Sequence, residues 1–194
     1  MKLSADLVCQ SPDGWIKAVL EDFDTFLQDH ADCERKASAM AMSFVARYPD
    51  RLEILPELIE TAVEELEHFQ QVYQIMEKRG VRLPAKMTQD LYVKELLSHC
   101  RTGRDERFID RMLWASVIEC RGAERFRLVY QSLPVGALKE FYHQLWASEA
   151  KHGHIFVKML FNYFPEEPIY KRLYELVEIE AEALLRLPIR PALH

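Results

Sequence analysis

Two short strings carry the residue types and spacing of a metal grip: Glu65-Leu66-Glu67-His68 and Glu149-Ala150-Lys151-His152. On an α-helix, residues three apart share a face, about 60° apart around the axis and ~4.5 Å along it. A carboxylate and an imidazole so placed can hold the same ion from one side. Each string is preceded by a Glu at nearly constant distance: Glu34 lies 31 residues before Glu65, and Glu119 lies 30 before Glu149. The two sets are displaced by 85 and 84 residues, which reads as an internal duplication of one helical hairpin. Four carboxylates balance two divalent cations, so a filled site is near neutral, whereas an empty one clusters like charges in low dielectric. Oxygen and nitrogen donors suit iron or manganese. Two such ions about 3.5–4 Å apart can bind one small molecule between them.

Position along the hairpins supports this set. In an antiparallel hairpin, equal counts from the turn put two residues at one height. Glu34 and Glu65 each lie about 15 residues from a turn at Pro49-Asp50, some 22 Å at ~1.5 Å per residue. Glu119 and Glu149 stand in the same relation to Pro134. A third E-x-x-H, Glu140-Phe141-Tyr142-His143, falls about nine residues, or ~13 Å, out of register and reads as a surface pair. Any single Glu or His is by default a solvated helix charge; the matched set of six is what departs from that default. Small residues surround it: Ala37, Ser38, Ala41, Ala62, Ala115, Ser116, Ala123 and Gly153, with Phe69, Trp114, Phe126 and Phe156 nearby. They either leave room for oxygen and an apolar substrate limb or let helices pack closely. His154 points away from His152, toward the surface or an outer shell. His30, His99 and His194 receive no role.

The elements needed to position these groups are helices. The sequence has only six Gly, and its Pro residues fall between long periodic segments. Helices are expected over about 12–27, 29–47, 55–79, 88–100, 104–131, 136–163 and 167–187. Ser11-Pro12 opens the first, Thr88 caps the fourth, and Gly80 stops the third. No strand signal survives. Two long hairpins joined by a long crossover define an all-α, ferritin-like four-helix bundle, with extra helices at the N-terminus, in the crossover and at the C-terminus. The whole of 1–194 is expected to be one such domain.

Composition bounds the alternatives. Apolar residues make up 49% and charged residues 29%, a globular profile. No apolar run approaches the ~18 residues of a membrane span, and the N-terminus does not read as a signal peptide. The net charge is −6, so a nucleic-acid partner needs a local basic patch. Cys9, Cys33, Cys100 and Cys120 form no C-x-x-C pair, which argues against a thiolate metal site and for a reducing cytoplasm. They are expected as small apolar residues in helices.

With these residues in view, the chain resembles the bacterial tRNA hydroxylases that act on 2-methylthio-isopentenyladenosine. The strings HADCERKASAMAMSF, ELIETAVEELEHFQQVY and SEAKHGHIF carry the likeness, which spans nearly the whole chain. The resemblance implies a cytoplasmic, non-haem di-iron monooxygenase. It would hydroxylate the isopentenyl group of the modified adenosine beside the anticodon, consuming O2 and two electrons from an external electron-transfer partner. It implies Glu34, Glu65, His68, Glu119, Glu149 and His152 as ligands of two iron ions, with manganese as the other candidate.

A tRNA partner asks for phosphate contacts. Candidates are Arg101, Arg104, Arg107 and Arg111; Arg121, Arg125 and Arg127; and Lys78, Arg79, Arg82 and Lys86, set against pairing with Asp105, Glu106 and Asp110 on a solvated face. Other readings stay open: a rubrerythrin-like peroxidase or manganese catalase, an iron-storage cage, and a non-catalytic helical scaffold. The absence of a C-x-x-C electron-transfer site from the chain weakens the rubrerythrin-like version.

Overall fold

The computed structural model describes residues 6–86 and 89–194. Among them are seven α-helices: α1 (Asp13–Glu21), α2 (Phe23–Arg47), α3 (Leu55–Arg79), α4 (Leu91–Ser98), α5 (Arg104–Ser132), α6 (Ala137–Leu160) and α7 (Glu166–Arg186). A 3-10 turn at Leu52–Ile54 leads into α3, and the described residues contain no strand. No helix among them is long and apolar enough to cross a membrane.

The helix ends follow local chemistry. The break between α1 and α2 comes at Asp22, not near residue 28. The Asp22 carboxylate accepts from the Thr25 N–H at 3.1 Å, and Phe26 and Leu27 already belong to the buried face of α2. Gly80 ends α3 in the left-handed conformation, φ 73°, with its N–H on the Glu77 carbonyl at 3.1 Å. Asp90 caps α4 by accepting from the Val93 N–H at 2.9 Å; Thr88, the expected cap, lies outside the described residues. Ser11 does not spend its hydroxyl on the start of α1, because that hydroxyl donates to Glu124 Oε2 at 2.7 Å.

The chain divides into two compact units. One comprises Lys17–Gln89 and Arg190–Leu193. Here α2 and α3 form an antiparallel hairpin. Phe26, Leu27 and Phe44 from α2 are buried, as are Leu58, Val72 and Met76 from α3. Ser38 Oγ donates to the Ala62 carbonyl at 2.7 Å, a close approach that small residues permit. The C-terminal tail joins this unit, with the Leu193 N–H on Asp29 Oδ2 at 2.7 Å.

The other unit comprises the described part of Met1–Ile16 together with Asp90–Ile189 and His194. In it α5 pairs with α6, while α4 and α7 pack together and against α5. Phe108, Trp114, Phe126, Tyr142 and Phe156 fill its core. A buried polar network ties these pieces together. Arg121, fully buried, donates to Glu180 Oε1 at 2.8 Å and Oε2 at 3.0 Å, and reaches Glu124 at 3.2 Å and the Cys9 carbonyl at 2.9 Å. Tyr92 of α4 donates to the same Glu180 at 2.8 Å; burial first, and then the Glu180 charge, push its phenol well above the ordinary range. Arg125 donates to Ser11 Oγ at 3.1 Å and lies 4.8 Å from the centre of the Trp15 ring.

A second ion-pair knot holds the start of α5. Asp110 accepts from Arg101 at 2.7–3.2 Å and from Arg172 of α7 at 3.0 Å. Burial alone would raise the Asp110 carboxyl, but the two guanidinium groups outweigh it and hold the carboxyl below its ordinary value.

Two outcomes follow from these knots. E180A strands the Arg121 guanidinium and should lower stability by about 3 kcal/mol, the lower end of the range because Glu124 stays in reach; urea unfolding measures it. Because the folded carboxyl of Asp110 titrates below its unfolded value of about 3.9, its contribution is fully present above that pH and lost as pH falls through the folded value. Wild type should therefore exceed D110N in urea midpoint at pH 7, and the gap should close as the solution is taken to strong acid.

Candidate metal centre

The buried stripes of the four long helices run through the candidate ligands. On α3 the buried positions are Leu58, Thr61, Ala62, Glu65, Val72 and Met76, so Glu65 occupies a place the helical period gives to an apolar side chain. On α6 the stripe Tyr142, Leu145, Glu149, His152, Phe156 does the same for Glu149 and His152. Glu34 continues the Phe26, His30 stripe of α2, and Glu119 lies between Met112 and Phe126 on α5. Four carboxylates at core positions are far from the usual placement of Glu.

Each unit carries one triad. In the α2–α3 hairpin, ligand atoms of Glu34, Glu65 and His68 lie within 4.8 Å of one another. His68 Nδ1 is 3.4 Å from Glu65 Oε2 and 3.9 Å from Glu34 Oε2. In the α5–α6 hairpin the same limit holds for Glu119, Glu149 and His152. There His152 Nδ1 is 3.2 Å from Glu149 Oε2. A spacing of this size lets one ion touch both donors at about 2.1 Å from each. Both E-x-x-H strings thus aim Glu and His at one point, as their spacing predicts. Buried carboxylates with a neutral nitrogen donor are the chemistry that a divalent ion of the iron or manganese kind takes.

The out-of-register Glu140 and His143 are exposed, 3.7 Å apart, as expected. His154 is half-buried. The small residues serve close packing where contacts define their role: Ser116 Oγ donates to the Gly153 carbonyl at 2.6 Å, and a Cβ on Gly153 would stand 2.7 Å from Cys120 Sγ. All four cysteines are free, but Cys9 and Cys100 lie outside helices, contrary to expectation. Three of the basic candidates also change role. Arg121 and Arg125 are buried in the network above, and Arg101 is engaged with Asp110, whereas Arg104, Arg107, Lys78, Arg79, Arg82 and Lys86 are exposed.

His30 is the residue that sequence reasoning passed over. It is fully buried, and its Nε2 lies 2.6 Å from Glu34 Oε1. The signal was present: His30 precedes Glu34 by one helical turn, so the two share a face.

This architecture has a close solved counterpart. A protein from Synechococcus described as "Protein 43 with aldehyde deformylating oxygenase activity" matches with a TM-score of 0.89 and 34% sequence identity, covering 95% of this chain and 92% of that one. The fold is all-α and ferritin-like, and the donor sets fit a carboxylate-rich di-iron protein. More narrowly, the chain belongs to the MiaE family, tRNA-(MS[2]IO[6]A)-hydroxylase, whose model matches residues 2–194. Two curated relatives are named tRNA 2-(methylsulfanyl)-N(6)-isopentenyladenosine(37) hydroxylase. The one from Pseudomonas putida is 35% identical over 96% of this chain and 90% of its own length. The one from Salmonella typhimurium is 26% identical over 92% of this chain and 83% of its own length.

The triads and the exposed pair separate in a binding experiment. E65Q and E149Q should each weaken Fe(II) uptake by more than about 100-fold, exceeding the effect usual for an outer partner. E140Q should leave uptake unchanged; equilibrium dialysis with metal analysis reads both.

Proposed function

We propose that this chain is a di-iron monooxygenase that hydroxylates the isopentenyl group of 2-methylthio-isopentenyladenosine in tRNA. Its membership of the MiaE family is the observation that carries the reading. The substrate is that in the names of its Pseudomonas and Salmonella relatives. Glu34, Glu65, His68, Glu119, Glu149 and His152 together hold two metal ions, iron in preference to manganese. The near-repeat of the two triads supports this, because equivalent helices supply equivalent donors. The two compact units then act as one domain.

Bound iron supplies the redox chemistry that inserts one atom of O2 into a C–H bond while two electrons and two protons convert the other to water. The chain's own residues supply binding and enclosure. The four carboxylates offset the positive charge of the ions, and the two imidazoles add neutral nitrogen donors at fixed positions on α3 and α6. Trp114, Phe126 and Phe156 give the α5–α6 hairpin an apolar interior, which suits a hydrocarbon limb and keeps water away. The modified adenosine lies in a single-stranded loop, where a base can be splayed out of its stack. Exposed Arg104 and Arg107 on one side of α5, Lys78 in the last turn of α3, and Arg82 and Lys86 beyond it are cations at the surface that phosphate can reach, while Arg79 is paired with Asp24 at 2.8 Å. A cytoplasmic location and an external electron donor complete the reading.

Iron-loaded protein given a reductant, O2 and tRNA bearing the isopentenyl modification should add one oxygen to that nucleoside, read by nucleoside mass analysis. E149A should lower the rate by more than about 100-fold, above the range for loss of an outer partner. Oxygen uptake without a hydroxylated nucleoside would refute the tRNA assignment while sparing the metal site.

A further inference from the structure

The two triads are equivalent in donors but not in what stands behind them. One turn before Glu34, on the same face of α2, is His30; one turn before Glu119, on α5, the equivalent residue is Ala115. His30 has no exposed surface, and its Nε2 lies 2.6 Å from Glu34 Oε1. A contact that short between a ring nitrogen and a carboxylate oxygen needs a proton between them, and with an ionised Glu34 the ring carries it. The other oxygen, Oε2, faces His68 Nδ1 at 3.9 Å, within the triad. The two oxygens of Glu34 are therefore divided between the imidazole behind and the donor cluster in front. Ala115 has no side-chain donor with which to do this for Glu119.

We infer that His30 is a positioning residue: by donating to Oε1 it fixes the rotation of the Glu34 carboxylate, so that Oε2 alone serves a metal ion. This inference rests on the metal-site reading proposed above. His30 acts on the metal position that Glu34 serves, because that carboxylate is held from behind by a charge-assisted hydrogen bond from the imidazole. Packing on Phe26, whose ring centre is 5.8 Å from that of His30, helps fix the imidazole itself. An oriented outer partner of this kind raises the affinity of the ligand it holds.

The test compares H30L with H30Q, two side chains of similar bulk, one without a donor and one whose amide can reach one turn along the helix. Co(II) alone is the probe, titrated into metal-free full-length protein against a competing chelator and followed by visible absorption. Wild type should bind two ions per chain. H30L should bind one of them about 10–100-fold more weakly and leave the other unchanged, and H30Q should recover most of that loss. H30N, whose amide is too short to reach Glu34, should behave like H30L and gives a polar substitute if leucine impairs folding. Urea midpoints of the variants separate a folding effect from a metal effect. Unchanged affinities in H30L and H30N would overturn the inference, as would equal losses in H30L and H30Q, which would point to packing alone. Fewer than two ions in wild type would instead defeat the metal-site reading, and this inference with it.

Discussion

Each long hairpin buries two carboxylates and an imidazole where the helical period places apolar side chains, and that concentration of negative charge governs the rest. Ionised carboxylates withdrawn from water are costly unless something compensates them. Glu65 and Glu149 are nearly devoid of exposed surface, and each has an imidazole nitrogen within 3.4 Å. An imidazole offset by one turn cannot neutralise two carboxylates, whereas a divalent cation can. The donor set therefore calls for metal on electrostatic grounds, independently of any resemblance to known proteins.

Building such positions demands rigid helices around them. In the α5–α6 unit, rigidity comes from ion pairs as well as apolar packing. Arg121–Glu180 links α5 to α7, Tyr92 brings in α4, and Glu124 brings in Ser11. Asp110 gathers Arg101 and Arg172 at the other end of α5. In these two knots Arg121 meets Glu180 and Asp110 meets Arg101 and Arg172 with good geometry, the condition under which such pairs are tolerated. Arg121 is withdrawn from the surface in this way and Arg101 is tied to Asp110, which narrows the cations that could meet a phosphate backbone.

The near-repeat of the two hairpins extends to the candidate ligands and stops there. Ser38 on α2 and Ser116 on α5 both donate to a carbonyl of the partner helix, yet at different heights relative to the ligands. His30 backs Glu34, and Ala115 occupies the equivalent place on α5. The likeness of the two hairpins is thus strongest at the carboxylates and imidazoles and weaker in the residues packed around them.

The helical class, the two hairpins and the grouping of Glu34, Glu65 and His68 and of Glu119, Glu149 and His152 were legible from the sequence, because the helical period and equal counts from a turn are local geometry. Rejection of Glu140 and His143 followed from the same counting. What depended on tertiary structure was the use of groups whose partners lie far along the chain. Arg121 reads as a surface cation until Glu180 and Cys9, 59 and 112 residues away, are seen around it. The α1–α2 break moved because one Asp side chain captured a backbone N–H, a choice that propensity does not resolve. His30 needed no distant partner, only its neighbour one turn on. Its importance nevertheless emerged only once burial turned an ordinary i, i+4 spacing into a 2.6 Å contact.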